Sequence, residues 1–564
     1  MSRGLTNRRI RLLLLVFGVV FVGALVRTAW LQAYRAPSLS RLAEGQHRAS
    51  VTLPAGRGAI LDRTGLRLAI RERATTVYAH PRQVRDPARV ARIAGRELGV
   101  APQELYASLV DRSQSFVFLS RRADPARALA LARRRLPGLG FYPEERRLYP
   151  QGEVGAQVLG YAGVDNRGLA GLEQELDSSL TGRPGRQTYV RDPRGRAIDV
   201  ISTTESREGS DVRLTLDHTL QAQAEDVLRE TRRRWRAKAA TAIVLSPRTG
   251  EVLAMASAPG FDANRYSQVA PELTRNRAVA DTYEPGSTFK AITVAAALSE
   301  RVVTPSTVFT LPYRILVADR WIGEHEPRAT ERMTVARILS QSSNVGAIKL
   351  AQRLGPDRLA RWIERFGFGR ATGIDLPGES TGIVPPVSSW SGSTIGNLPL
   401  GQGLAVTPVQ MAAAYGAIAN GGMWVEPHLV DRTRGGNRPP RRRRIVTGAI
   451  AKSLVRMLTD VVRKGTGGEA AIPGYSVAGK TGTAAKADAQ GYSRSRYVAS
   501  FVGFVPASAP RLVVLVTVDE PKGVIWGGVV AAPAFAEIAN FGLQYLEVTP
   551  DAPASLAAAV PATD

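Results

Sequence analysis

Hydrophobic and polar positions divide this chain into stretches with different periods. The first has none: Leu12 to Val26 is an unbroken apolar run, preceded by Arg3, Arg8, Arg9 and Arg11 and followed by Arg27, Trp30 and Tyr34. Carried on to Tyr34 it covers about 23 residues, about 34 Å as a helix, which is enough to cross a bilayer. Arg27 is tolerable there if it snorkels outward beside the two aromatic rings or faces a partner helix. No small-x-small cleavage site precedes a polar start, so the segment reads as an uncleaved anchor rather than a signal peptide. The positive-inside rule then assigns residues 1–11 to the cytoplasm and everything after about residue 35 to the outside.

Beyond the anchor, Arg57 to Gly65 is a turn-rich strand pattern, and residues 85–140 read as short Ala/Arg-rich helices, with Asp124-Pro125 as one helix start. Gly168 to Glu173 leads into an amphipathic helix, and the alternating segments 187–192 and 212–217 read as strands flanking a charged linker. The last part begins with a hairpin, Thr241–Ser246 and Val252–Ser257, and ends with strands at 475–484, 497–504 and 512–518 and a closing helix at 533–546. Ala-rich helices at 291–298, 334–339, 345–354, 407–420 and 449–463 lie between. Strands first and last with helices between them predict an antiparallel sheet completed by both ends of the domain, beside a helical lobe. The expected fold class is therefore α+β, divided as tail 1–11, anchor 12–34, elongated module 35–210, final domain 211–548 and disordered tail 549–564.

Composition changes this picture little. With 564 residues the chain has length for two or three domains, and its net charge of +26 admits nucleic acid, an anionic membrane or an anionic polymer as neighbour. The arginine clusters 232–236 and 441–444 end a helix and follow a Gly/Pro loop, so they read as solvated surface and no nucleic acid is expected. There is no cysteine, and the five histidines are scattered; Glu324-His325-Glu326 lacks the second histidine of a zinc helix. Neither a metal nor a cofactor is expected.

The candidate chemistry starts at Ser287 and Lys290, three positions apart where a helix begins and so on one face. Such a pair is common by chance; company is what changes its meaning. Ser342-Ser343-Asn344 follows on a loop between helices, and Lys480-Thr481-Gly482-Thr483 lies in an edge-like strand. The three patterns in this order are those of β-lactamases and penicillin-binding proteins. The amides of Ser287, at a helix start, and of Thr483, after a glycine that permits close approach, are candidate oxyanion donors.

Over nearly its whole length the chain resembles the class B penicillin-binding proteins, and most the division-type (FtsI or penicillin-binding protein 3) peptidoglycan D,D-transpeptidases. The resemblance rests on the anchor, Arg57-Gly58-x-Ile60-x-Asp62-Arg63-x-Gly65, Arg147-x-Tyr149-Pro150, Gly168–Glu173, Thr249–Ser257, Tyr283–Lys290, Ser342–Asn344, Thr372–Glu379, Gly401–Pro408, Lys480–Thr483 and the closing Trp526-Gly527-Gly528. One departure is Ala263, where the family usually has proline, which puts that turn in doubt. The resemblance implies a pedestal or dimerisation-type module before a penicillin-binding transpeptidase domain, and peptidoglycan stem peptides ending in D-Ala-D-Ala as substrate. It implies Ser287 as nucleophile, Lys290 as base, tuned by burial and the cation Lys480, Ser342 as proton relay and Asn344 as a peptide-binding group. Lys480, Thr481, Gly482 and Thr483 would take the terminal carboxylate. β-Lactams as inhibitors, a septal location and an FtsW-type membrane glycosyltransferase as partner are further implications; the chain itself is expected to carry no glycosyltransferase domain. A cell-elongation transpeptidase, a β-lactam-sensing or hydrolysing protein, and a non-catalytic division scaffold remain the alternatives at this stage.

Overall fold

A computed structural model describes residues 3–35, 48–53, 55–191, 197–432, 438–488 and 491–552. The chain divides into two units, one made of residues 1–56 and 181–209, the other of 57–180 and 210–564. In the first, the apolar run forms the helix Arg3–Trp30, and the window Asn7–Arg35 is long and apolar enough to cross a membrane. The Arg27 guanidinium lies 4.8 Å from the centre of the Trp30 ring, a cation–π contact that gives this charge a partner on its own helix. The same unit holds an antiparallel sheet of Arg48–Leu53, Gly185–Arg191 and Ala197–Thr204. The third of these strands lies inside the stretch expected to be a charged linker: Ile198, Val200 and Ile201 supply the β-branched content that its charged flanks obscure.

In the second unit, the long strand Arg67–Ala79 pairs antiparallel with Leu139–Leu148, Val117–Ala123 and Ile60–Leu61. Helices Pro87–Leu98, Pro102–Val110 and Pro125–Arg133 cover a core containing Val77, Val90, Leu105, Leu109, Leu119 and Leu131. Asp124 caps the last of them by accepting from the amides of Ala126 and Arg127, as its sequence signal predicts. The strand Val117–Ala123, between helices, was not expected.

Three separated motifs meet here in one buried charge network. Glu173, with no exposed surface, accepts from Arg57 Nε at 2.7 Å and from Arg147 Nε at 2.6 Å, and Arg57 also reaches Asp177 at 2.6 Å. Arg147 Nη1 donates to the Gly58 carbonyl at 2.7 Å. Tyr149 completes the set, donating to Glu173 and accepting from the Ala162 amide; burial and the neighbouring carboxylate hold its phenol well above the usual range. Asn264 clasps the Tyr149 backbone through both ends of its amide, and Asp262 accepts from the Asn264 amide, so the turn at Ala263 forms without proline.

The final domain is organised by a five-stranded antiparallel sheet in the order Val252–Ala258, Ala239–Leu245, Leu512–Asp519, Gly491–Val505, Ala478–Asp488. Both ends of the domain contribute strands, as expected. Alternation divides Leu512–Asp519 between two cores: Leu512, Val514, Val516 and Val518 face the helices His218–Arg234 and Ala532–Tyr545, while Val513 and Leu515 face the helical lobe. Burial on both faces is why this strand reads as one continuous apolar run. The lobe contains Lys290–Ser299, Val335–Ser340, Asn344–Leu354, Pro408–Ala419 and Gly448–Lys464. Of the expected disordered tail, residues 553–564 lie outside the described residues, but its beginning is tied down: Asp551 accepts from the Ser476 amide at 2.7 Å and from the Ser508 hydroxyl.

Candidate active site

Ser287 sits in the 3-10 turn Gly286–Phe289, and the α-helix starts only at Lys290. The expected helical face is therefore replaced by a tighter one, in which residues three apart eclipse and both side chains leave the same side. The turn is held from several directions. The Gly286 amide donates to the Gly401 carbonyl at 3.0 Å, Tyr283 and Val406 exchange both backbone hydrogen bonds, and buried Tyr415 donates to the Thr288 carbonyl at 2.8 Å. Gly401, at φ +77°, could not carry a side chain, since a Cβ there would stand 2.3 Å from the Gly286 oxygen. These contacts explain why Tyr283–Lys290 and Gly401–Pro408 are separate motifs of one site.

Lys290 is 1% exposed and points its amine into the second motif. Nζ donates to the Ser342 carbonyl at 2.5 Å, to Asn344 Oδ1 at 2.7 Å and to Ser342 Oγ at 3.2 Å. Three acceptors match the three N–H bonds of an ammonium, and of the three only the Ser342 hydroxyl can turn round and donate once Lys290 is neutral. Ser342 itself has a left-handed backbone, φ +58°, and Ser343 caps the helix Asn344–Leu354 by accepting from the Gly346 amide. The Asn344 side chain is engaged at both ends, because Nδ2 donates to the Gly323 carbonyl at 2.9 Å. Among the described residues no hydrogen bond joins Ser287 Oγ to Lys290.

The strand Ala478–Asp488 is the sheet edge facing the Ser287 turn. A Cβ on Gly286 would lie 3.0 Å from the Thr483 carbonyl, and the amide and carbonyl of one strand residue point the same way, so the Thr483 amide also faces the turn. The Thr483 hydroxyl accepts from the Gly527 amide at 3.0 Å, which fastens the closing Trp-Gly-Gly segment to this strand. Thr481 meets Thr466 through their hydroxyls at 2.8 Å. Lys480 has no exposed surface and donates to the carbonyl and hydroxyl of Thr481.

Burial pulls the Lys290 ammonium down to about 7, against the carboxylate of Glu324, which holds it up. Burial together with the facing Lys290 cation keeps Lys480 well below the ordinary ammonium range. The repulsion between the two ammonium groups is mutual, and burial is the larger cause for each. Glu324 is the residue that sequence reasoning missed, having read Glu324-His325-Glu326 only for metal ligands. Its neighbours in space, Ser343 and Asn344, are about 20 positions away.

Two family matches cover the chain: a penicillin-binding protein dimerisation domain over residues 52–214 and a penicillin binding protein transpeptidase domain over residues 240–540. The chain belongs to the class B penicillin-binding proteins. This penicillin-binding protein is 34% identical over 538 residues to the peptidoglycan D,D-transpeptidase FtsI of Escherichia coli K12, covering 93% of this chain and 90% of that one. It is likewise 34% identical over 569 residues to the stage V sporulation protein D of Bacillus subtilis, covering 97% and 87%. Among solved structures, penicillin-binding protein 3 of Mycobacterium tuberculosis complexed with aztreonam superposes with a TM-score of 0.70 at 30% identity, covering 89% of this chain and 99% of that one. The N-terminal apolar helix, dimerisation module and transpeptidase domain expected from the sequence are the architecture of this penicillin-binding protein.

Proposed function

We propose that the chain is a serine-type peptidoglycan D,D-transpeptidase that cross-links stem peptides at the division septum and is acylated by β-lactams. The observation that carries this reading is that the fully buried Lys290 amine reaches Ser342 and Asn344, while the Thr483 carbonyl of the strand that also carries buried Lys480 lies against the Ser287 turn. An amine that loses its proton near 7 can serve as base at the pH where the reaction must run. Lys290 takes the Ser287 proton as Oγ attacks the carbonyl of the penultimate D-Ala. The amides of Ser287 and Thr483 hold the oxyanion, each such donor contributing about 2.7–4 kcal/mol to transition-state stabilisation. The proton passes through the Ser342 hydroxyl to the departing D-Ala amine, and an amine of a neighbouring strand then takes the acyl group from Ser287. Lys480, Thr481, Gly482 and Thr483 receive the terminal carboxylate, whose charge favours the protonated form of Lys480. Asn344 contributes to peptide binding through the lone pair on Oδ1 that Lys290 does not use.

The septal role draws on the likeness to FtsI, with residues 1–11 cytoplasmic, residues 12–34 spanning the inner membrane and the catalytic domain outside it. Glycan polymerisation falls to a separate FtsW-type glycosyltransferase contacted through the anchor and the dimerisation module. The test is covalent labelling by a fluorescent penicillin: Ser287→Ala should lose it with the fold intact, and undiminished labelling overturns the assignment. Release of the bound penicillin within seconds would identify a hydrolase instead, and a tagged chain spread along the side wall would remove the septal part of the reading.

A further inference from the structure

The loop after the small hairpin Arg314–Val317 and Arg320–Gly323 carries a carboxylate that reaches the second motif from outside. The Glu324 side chain is 9% exposed. Its Oε1 accepts from Ser343 Oγ at 2.6 Å and from Arg328 Nη2 at 2.8 Å, and its Oε2 accepts from the Asn344 amide at 2.7 Å. The carbonyl of the preceding Gly323 takes Asn344 Nδ2. The helix Asn344–Leu354 has no acidic residue in its first turn, so Glu324 supplies from another segment the negative charge that a helix start favours.

We propose that Glu324 is the positioning residue that aims the Ser342–Asn344 acceptors at Lys290. Ser343 Oγ donates to Glu324 and accepts from the Gly346 amide, so one hydroxyl is fixed at both ends. With Ser343 and the Asn344 amide fixed, the Ser342 carbonyl and hydroxyl and Asn344 Oδ1 can stand where Lys290 Nζ reaches all three. The charged groups about Glu324 are Arg328, which also lies 3.9 Å from Glu331, the adjacent His325 and Glu326, and beyond them Lys290 and Lys480. Arg328 neutralises part of the carboxylate, and the remainder favours the Lys290 cation. One residue therefore sets both the geometry of the base and the pH at which it becomes active.

This inference rests on the reading of Ser287 as nucleophile and Lys290 as base, and its test separates the two. The second-order rate of acylation by a fluorescent penicillin is followed between pH 5.5 and 9 for the full chain in detergent. In Glu324→Gln the plateau rate should fall about 10- to 100-fold through misplacement, and the midpoint of the pH profile should move to lower pH, because the charge stabilising the ammonium is gone. Glu324→Asp should keep the midpoint while losing rate, since it retains the charge and shortens the reach. Arg328→Met should move the midpoint the other way, which also guards against a Glu324→Gln variant that fails to fold. Wild-type rate and midpoint in Glu324→Gln, or an unmoved or lowered midpoint in Arg328→Met, overturn the role of Glu324. Labelling that survives in Ser287→Ala overturns the reading of the site instead.

Discussion

Replacing Glu173 by alanine removes the shared carboxylate of two buried guanidinium groups. The side chains of Arg57 and Arg147 are 1% and 2% exposed. After the substitution Arg57 still has Asp177 at 2.6 Å and the Asn166 carbonyl at 3.0 Å. Arg147 keeps the Gly58 carbonyl but no carboxylate among the described residues, and its Nη2 is already without a partner. Breaking a buried pair in this way costs about 3–5 kcal/mol, because a charge is left in low dielectric rather than because the pair was strong. At about 1.36 kcal/mol per tenfold, local opening becomes roughly 10²- to 10⁴-fold more frequent. Hydrogen exchange read by mass spectrometry should show that acceleration in peptides covering 57–66, 139–150 and 168–180, with much smaller changes in the sheet strands 239–258 and 512–519. Exchange within about threefold of the wild type in the first three segments would refute the argument. A Glu173→Leu, Arg147→Met double variant should recover much of the protection, since an apolar pair of similar volume carries no stranded charge.

Two further outcomes are expected. The acylation rate should rise with pH through a midpoint near 7, the value to which burial brings Lys290, because the neutral amine is the active form; the same lowered value makes folding stability climb between about pH 7 and 10.5, where the unfolded chain holds the extra proton. A profile flat from pH 6 to 8.5 removes Lys290 as base. Gly527→Ala should slow acylation on the order of 100-fold, as its Cβ would meet the Gly482 and Ser500 carbonyl oxygens at 2.2 and 2.3 Å and push the Lys480–Thr483 strand out of line; stopped-flow kinetics showing a wild-type rate would mean that the closing segment does not hold the strand.

Much of the site was legible because its motifs are local. Ser287-x-x-Lys290 and Lys480–Thr483 state their spacing directly, and the apolar run 512–518 announces a strand buried on both faces. What escaped was what depends on distant neighbours. The 3-10 turn at Gly286–Phe289 is imposed by Gly401 and Val406, more than a hundred positions away, and helix propensity carries no trace of it. Ala197–Thr204 was masked by the charges around it, since period-2 alternation is hard to see in a strand with two largely exposed faces. Glu324 left no such signal: its partners Ser343 and Asn344 lie about 20 positions away, and a first turn without an acid is common to several helices of this chain.

The left-handed backbone of Ser342 divides what stability and chemistry ask of that position. A non-glycine residue there stores about 1–3 kcal/mol, and glycine would release it while leaving the carbonyl that accepts from Lys290 in place. The same change deletes the one hydroxyl among the three acceptors of Lys290, the group proposed to pass the proton. A library of variants screened for survival of heating should therefore enrich glycine at 342, and one screened for penicillin labelling should return serine. The position would record which of the two pressures its lineage had been under.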